Sequence, residues 1–189
     1  MSDLVAGRVT LWAWRHPKPE NVAGRCIGRT DVTVPARRAK RLARRIQQAA
    51  RRHGLAKVVH TSPLQRCALV GRYLRRWGWT HVQDTTLLEL NFGSWDGLPW
   101  RDIPQDRIDQ WCKAFATHAP GDGEALQSLL VRAAAWTPLS PPISHSAVVV
   151  AHAGWMLARR WVHEHPQQPP QLAAQWPASP PYGTLWRLP

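Results

Sequence analysis

Apolar side chains recur along the chain with two different spacings, and the changes between them divide it into alternating strands and helices. Residues 9–14 are a run of β-branched, aliphatic and aromatic side chains, which predicts a buried strand. The run ends in Arg15, His16 and Pro17, and a proline cannot continue a ladder. From Pro35 the spacing changes: Ala36, Ala39, Leu42, Ala43, Ile46, Ala49 and Ala50 recur at helical intervals, and Gly54 supplies a stop. Residues 57–61 predict a second strand. Ser62 and Pro63 suit the opening of a helix running to about residue 77, with Leu69, Val70, Leu74 and Trp77 as its buried stripe. Residues 103–118 and 124–136 predict two more helices, separated by a turn of Pro120, Gly121, Asp122 and Gly123. Residues 138–142 form a proline-containing surface connection. Residues 147–151 are the most strand-like run in the chain and end in His152, Ala153 and Gly154, before a helix over 155–163. Residues 166–181, rich in proline and glutamine, are expected to be irregular, and 182–188 to be a closing strand.

Strands alternating with helices predict an α/β fold: a three-layer α/β/α arrangement with a mostly parallel central sheet covered on both faces. At 189 residues, a single domain over 1–189 is expected. In such sheets ligands bind beyond the C-terminal ends of the strands. Arg15, His16 and His152 are therefore delivered to a binding edge, and Arg66 falls in the first helical turn after another strand end.

The charge modifies this picture. Lys and Arg number 25 against 12 Asp and Glu, a net charge of +13. That excess admits nucleic acid or any anionic ligand. Eight of the cations lie between residues 37 and 52, on the first predicted helix. No aromatic is interleaved to stack on bases, and no recognised nucleic-acid motif is present. The pattern favours an ordinary outer helix with a basic face over a nucleic-acid surface. The three cysteines, Cys26, Cys67 and Cys112, are widely spaced, and a reducing cytosol is the expected compartment. No signal peptide is evident, and no apolar stretch approaches the roughly twenty residues of a membrane span. His163 and His165, two apart on a helix, face different ways and do not make a metal pair. Oligomeric state stays open.

A guanidinium beside an imidazole suits a phosphate: arginine clamps two oxygens, and histidine can attack phosphorus. Glu89 sits among apolar neighbours before a glycine-containing loop, where a carboxyl group can hold a proton for catalysis. Each feature also has an ordinary reading, as a strand-end histidine or a surface glutamate. Together, Arg15 with His16, Arg66 and His152 at three strand ends describe a dianion site of two arginines and two histidines, without a cluster of metal ligands. Arg25 and Arg29, in the loop after Pro17, lie close enough to return toward Arg15, and equally fit a solvated loop. Trp95, Trp100 and Trp111 fit either a pocket wall for a ring-bearing substrate or core packing.

The segments LWAWRHP, GRCIGRTDV, TSPLQRC, LLELNFGSWDG, PGDGE and VVVAHAG, in this order, resemble those of the histidine phosphatase superfamily, also called phosphoglycerate mutase-like. The resemblance extends from residue 9 to about 155, and PYGTLWRL resembles the last strand of one branch. The GRCIGRTDV loop, ELNFGSWDG followed by Pro99 and Trp100, and the PGDGE turn point to the alpha-ribazole phosphatase branch. The resemblance implies a metal-independent phosphomonoesterase of cobalamin synthesis, without a cofactor, acting on a small phosphorylated substrate. It implies His16 as the nucleophile, Arg15, Arg66 and His152 as phosphate ligands, and Glu89 as the acid and base. It also implies Arg29, Asn21 and Trp95 as substrate-binding candidates. Two departures stand out. Pro17 occupies the position of the family's usual glycine, keeping its carbonyl but lacking the amide donor. Val22 stands where many relatives have a phosphate-binding asparagine, with Asn21 one position early. A phosphoglycerate mutase-type phosphotransferase needs longer insertions to shield the phosphohistidine, and the short chain favours hydrolysis. A histidine-family phosphatase of other or broad specificity is a further alternative, and a non-catalytic basic protein binding nucleic acid or anions is one of another class.

Overall fold

The computed structural model describes residues 9–138 and 146–189. Most of the surface connection expected at 138–142 lies outside them. Five strands form one sheet: β1 (Thr10–Arg15), β2 (Val58–Thr61), β3 (Thr80–Gln83), β4 (Ser146–Ala151) and β5 (Leu185–Leu188). Their order is β3-β2-β4-β1-β5, and all neighbours are parallel except β5, which runs antiparallel to β1. The helices are α1 (Ala36–His53), α2 (Gln65–Arg76), α3 (Gln105–Lys113), α4 (Leu126–Ala135) and α5 (Ala153–Glu164). The expected α/β/α class is thus borne out.

The two-residue period of the strands decides which layer covers which face. Trp12, Trp14, Val59, Val148 and Val150 pack beneath α1 and α2, while Leu11, Ala13, Ala147, Val149 and Ala151 pack beneath α4 and α5. Trp14 is 1 % exposed, and full burial of a side chain of this kind contributes roughly 1.5–3 kcal/mol. The chain leaves β1 toward one layer and β4 toward the other. The crevice beyond the adjacent ends of β1 and β4 is therefore a topological switch point.

Several expected boundaries move. β3 was not foreseen: its sequence, Thr-His-Val-Gln, has little apolar character, because it forms a half-exposed sheet edge. α2 opens at Gln65 rather than at Pro63, with the Asp31 carboxylate accepting the Gln65 N–H at 2.6 Å. Leu69 and Trp77 are only half-buried, and Trp77 packs on Tyr73 at 6.3 Å between ring centroids. The helix expected over 103–118 is confined to α3. Pro104 precedes it, and at Ala114 the backbone leaves helical angles, sending Phe115 and Ala116 into the interior. Glu124 lies outside α4, and within 182–188 only Leu185–Leu188 pairs in the sheet. Among the described residues no helix is long and apolar enough to cross a membrane.

Candidate active site

Strand register builds the centre of the site. Arg15 pairs with Ala151 in the parallel β1–β4 ladder, so His16 and His152 emerge side by side. The His16 amide donates to the Ala151 carbonyl at 3.0 Å, and the two imidazole centroids stand 5.1 Å apart. His16 Nδ1 lies 2.9 Å from the Pro17 carbonyl oxygen. A carbonyl only accepts, so Nδ1 carries the proton and the lone pair is left on Nε2. The carbonyl kept by proline therefore fixes the tautomer. Burial, and then the charge of Arg66, hold the imidazole well below the ordinary histidine value, against the opposing pull of the Pro17 carbonyl. The His16 imidazole is thereby neutral at neutral pH.

Arg66 is 1 % exposed, and its guanidinium is oriented by three acceptors. Nε–H donates to His152 Nδ1 at 3.2 Å, Nη1 to the Thr30 carbonyl at 2.7 Å, and Nη2 to the Gly28 carbonyl. Three of its five N–H groups are used, leaving two for an oxyanion. Arg15 Nη1 donates to the Pro180 carbonyl, and its guanidinium carbon lies 3.9 Å from the centre of the Tyr182 ring. Such stacking fixes an arginine without consuming its remaining donors. The oxygens of the Glu89 carboxyl group accept the Gly154 amide at 2.9 Å and the Leu90 amide at 3.0 Å. Gly154 is required for this: a β-carbon there would come within 2.3 Å of Glu89 Oε1.

Arg15, His16, Arg66 and Glu89 converge on one cavity of about 310 Å³, whose walls include Phe92, Trp100, Trp111, Phe115, Trp176 and Tyr182. His152 joins the cluster but not the cavity wall. It is fully buried, between Arg66 and His16, with Nε2 3.6 Å from Cys67 Sγ. Burial, followed by the charges of Arg66, His16, Arg132 and Arg15, holds it well below the ordinary histidine value. The structure thus places it against Arg66, whose Nε–H it accepts, and beside the His16 ring. Three other candidates do not line the cavity. Trp95 packs into a small core with Cys26 and Ile103, edge-on behind the wall residue Trp111 at 5.9 Å between ring centroids, and does not itself line the cavity. Arg29 turns its Nη2 to Glu124 at 3.2 Å. Asn21 borders a different, shallow hollow with Thr30 and Val32. Arg25, by contrast, does reach the cavity wall.

A supporting layer went unrecognised in the sequence. Asp96 accepts the amides of Gly28, Arg29 and Thr30, and so shapes the loop whose carbonyls aim Arg66. Arg132 donates to the carbonyls of Thr86, Leu88 and Glu89 at 2.9, 2.6 and 3.0 Å, fixing the segment that carries Glu89. Glu124 in turn holds Arg132, with Nε to Oε1 at 2.7 Å. Burial pushes the Glu124 carboxyl up, but the hydrogen bond and charge of Arg132 outweigh it and keep the group below the usual carboxylate range. Trp176 comes from the proline-rich stretch, where the only signal was an aromatic residue among irregular ones, and Tyr182 from the start of the PYGTLWRL segment, which was read as a strand and not as a cavity wall. Among the described residues no group of three or more His, Cys, Asp or Glu is placed to hold a metal ion.

Comparison with known proteins supplies a family. No curated protein matches the chain. Solved structures do. YhfR of Bacillus stearothermophilus is 21 % identical, covering 93 % of this chain and 88 % of its own, with a TM-score of 0.70. The alpha-ribazole phosphatase of Shigella flexneri is 21 % identical over 85 % of this chain and 81 % of its own, at 0.63. A mycobacterial glucosyl-3-phosphoglycerate phosphatase is 24 % identical over 79 % and 76 %, at 0.60. At these identities the likeness is one of fold. The family model of the histidine phosphatase superfamily (branch 1) matches residues 11–178, a span that runs from β1 past Arg15, His16, Arg66, Glu89 and His152 into the tail, and the chain belongs to that superfamily.

Proposed function

We propose that the protein is a metal-independent phosphomonoesterase that acts through a phosphohistidine, and that its substrate is alpha-ribazole 5′-phosphate or the corresponding cobalamin 5′-phosphate. The observation that carries the chemistry is the His16 tautomer: Nδ1 is tied to the Pro17 carbonyl and Nε2 is left unprotonated at a cavity flanked by two guanidinium groups. His16 Nε2 attacks phosphorus, and the bond to the ester oxygen breaks. The Glu89 carboxyl gives that oxygen its proton, so the alcohol leaves neutral. Glu89, now a carboxylate, takes a proton from water. The water oxygen attacks the phosphohistidine, the P–N bond breaks, and inorganic phosphate leaves. Arg15 and Arg66 face the phosphoryl oxygens in both steps, and stabilising their charge is the principal demand of phosphoryl transfer. His152 keeps Arg66 aimed. The three free cysteines, two of them buried, fit the reducing cytosol that we assign as its compartment.

The substrate assignment is supported by the aromatic wall. Phe92, Trp100, Trp111 and Phe115 form an edge-and-face cluster beside the catalytic groups, suited to a flat apolar leaving group such as a benzimidazole nucleoside. A second reading, a phosphatase for an ester bearing another acidic group, rests on Arg25 in the same cavity. A kinetic panel separates the two. With alpha-ribazole 5′-phosphate, ribose 5-phosphate and 3-phosphoglycerate compared, kcat/KM is expected to be at least about 100-fold higher for the first, since ring burial and stacking together exceed about 3 kcal/mol. A preference for 3-phosphoglycerate would move the assignment to the second reading.

A further inference from the structure

The net charge of this protein belongs to one part of it. Residues 32–83 hold 13 Lys and Arg and no Asp or Glu, while the other 12 basic residues are matched by all 12 acidic ones. This segment is α1, β2, α2 and β3, and α1 and α2 pack together as one outer layer. Only Arg66 of the 13 serves the catalytic cluster. On α1 the buried residues form one stripe, and at 100° per residue the cations fall on an arc of roughly 160° directly opposite. Arg37, Lys40, Arg41, Arg44, Arg51 and Arg52 are all exposed there, and Arg72, Arg75 and Arg76 extend the patch across α2. Among the described residues no carboxylate pairs with any of them; the four ion pairs lie elsewhere. The potential of the patch reaches inward, since His81, beneath α2, is pushed down to about 4 by burial and then by Arg75 and Arg72.

We propose that the α1–α2 face docks duplex nucleic acid through its phosphates, without reading sequence. The sequence alone disfavoured this because no aromatics are interleaved with the arginines. In the folded molecule that absence selects among polyanions. A single strand needs free stacking platforms; α1 offers none, and the two aromatics at the C-terminal end of α2, Tyr73 and Trp77, are half-buried and packed on each other, with the Arg76 guanidinium over the Tyr73 ring. Basic faces hold a membrane best when apolar side chains insert beside them, and among the described residues the exposed large apolar ones, Leu98, Val131, Leu172 and Tyr182, lie outside the segment. A rigid array of phosphates needs only arginine forks at intervals, with which this face is covered. α1, 18 residues long, spans about 27 Å, a length over which a B-form duplex carries about 16 phosphates.

The test is fluorescence anisotropy of a labelled duplex of about 20 base pairs, titrated with the intact chain. For about six phosphates neutralised, affinity is expected to fall about 1,000-fold between 50 and 200 mM salt. The triple variant Arg41→Gln, Arg44→Gln, Arg51→Gln is expected to bind at least tenfold more weakly at 50 mM and to flatten the log–log salt slope by about 2 to 3. Its phosphate release and its melting temperature should be unchanged. A control triple of exposed cations elsewhere, Arg101→Gln, Arg107→Gln, Lys113→Gln, should bind as the parent does. Absence of binding at 50 mM, equal loss in both triples, or preference for phosphatidylserine-containing vesicles over the duplex would overturn the proposal.

Discussion

His16→Ala is expected to lower phosphate release from p-nitrophenyl phosphate by roughly four orders of magnitude, measured with excess EDTA in every assay. The size follows from what is lost. Without the imidazole there is no covalent route, and water must attack directly in a cavity whose arginines still bind the ester. Part of the acceleration survives through those charges, as it does when other nucleophiles are removed while the anion-stabilising groups remain. The fold should hold, because the His16 side chain makes one hydrogen bond to a neighbouring carbonyl and packs only on His152 and Tyr182, outside the apolar clusters on the two faces of the sheet. Melting of the variant checks that. A parent enzyme that needs added metal, or a variant that keeps most of its activity, would contradict the mechanism.

Glu89→Gln is expected to separate substrates by their leaving groups. An alkyl phosphate expels a strongly basic alkoxide and needs the proton, so its kcat/KM should fall by about 10²- to 10⁴-fold. p-Nitrophenolate leaves without help, so kcat/KM for its ester should fall by about tenfold or less. The second step still lacks its base, so kcat for both esters should fall together, and p-nitrophenolate should appear as a burst before the slow steady state. Stopped-flow absorbance resolves that burst. Equal losses of kcat/KM on both esters, without a burst, would remove Glu89 as the acid. Glutamine retains acceptor capacity through its carbonyl oxygen, so one of the two bonds from Gly154 and Leu90 can persist, and a collapsed site is not the expected cause of any loss.

The residues that act were more legible than those that support them. Arg15 and His16 could be read because Pro17 ends β1 abruptly, which fixes where those side chains emerge. His152 could be placed at a strand end because the run before it is apolar, but its neighbours depend on β1–β4 register and on Arg66 folding back from α2. Only coordinates show that it stands behind the cavity. Trp95 and Trp100 are five positions apart and chemically identical, yet one fills a small core with Cys26 and Ile103 while the other faces the cavity. Composition carries nothing to distinguish them. β3 escaped notice because an exposed edge strand needs no apolar face. Asp96, Glu124 and Arg132 escaped because their partners are backbone groups, each other and the loop side chains of Arg29 and Thr30, met through long-range folding. The cations of α1 were visible at once. What folding adds is that α2 continues their patch and that no described carboxylate neutralises it.

The central claim concerns one covalent bond, and it can be observed directly. The parent enzyme is mixed with a slow alkyl phosphate, quenched in alkali within milliseconds to preserve acid-labile phosphoramidates, digested, and analysed by mass spectrometry. The account predicts a phosphoryl group on the peptide spanning residue 16, localised to His16, and formed and discharged at rates that match turnover. A phosphoryl group on another side chain, or none in an enzyme shown to be turning over, would contradict it.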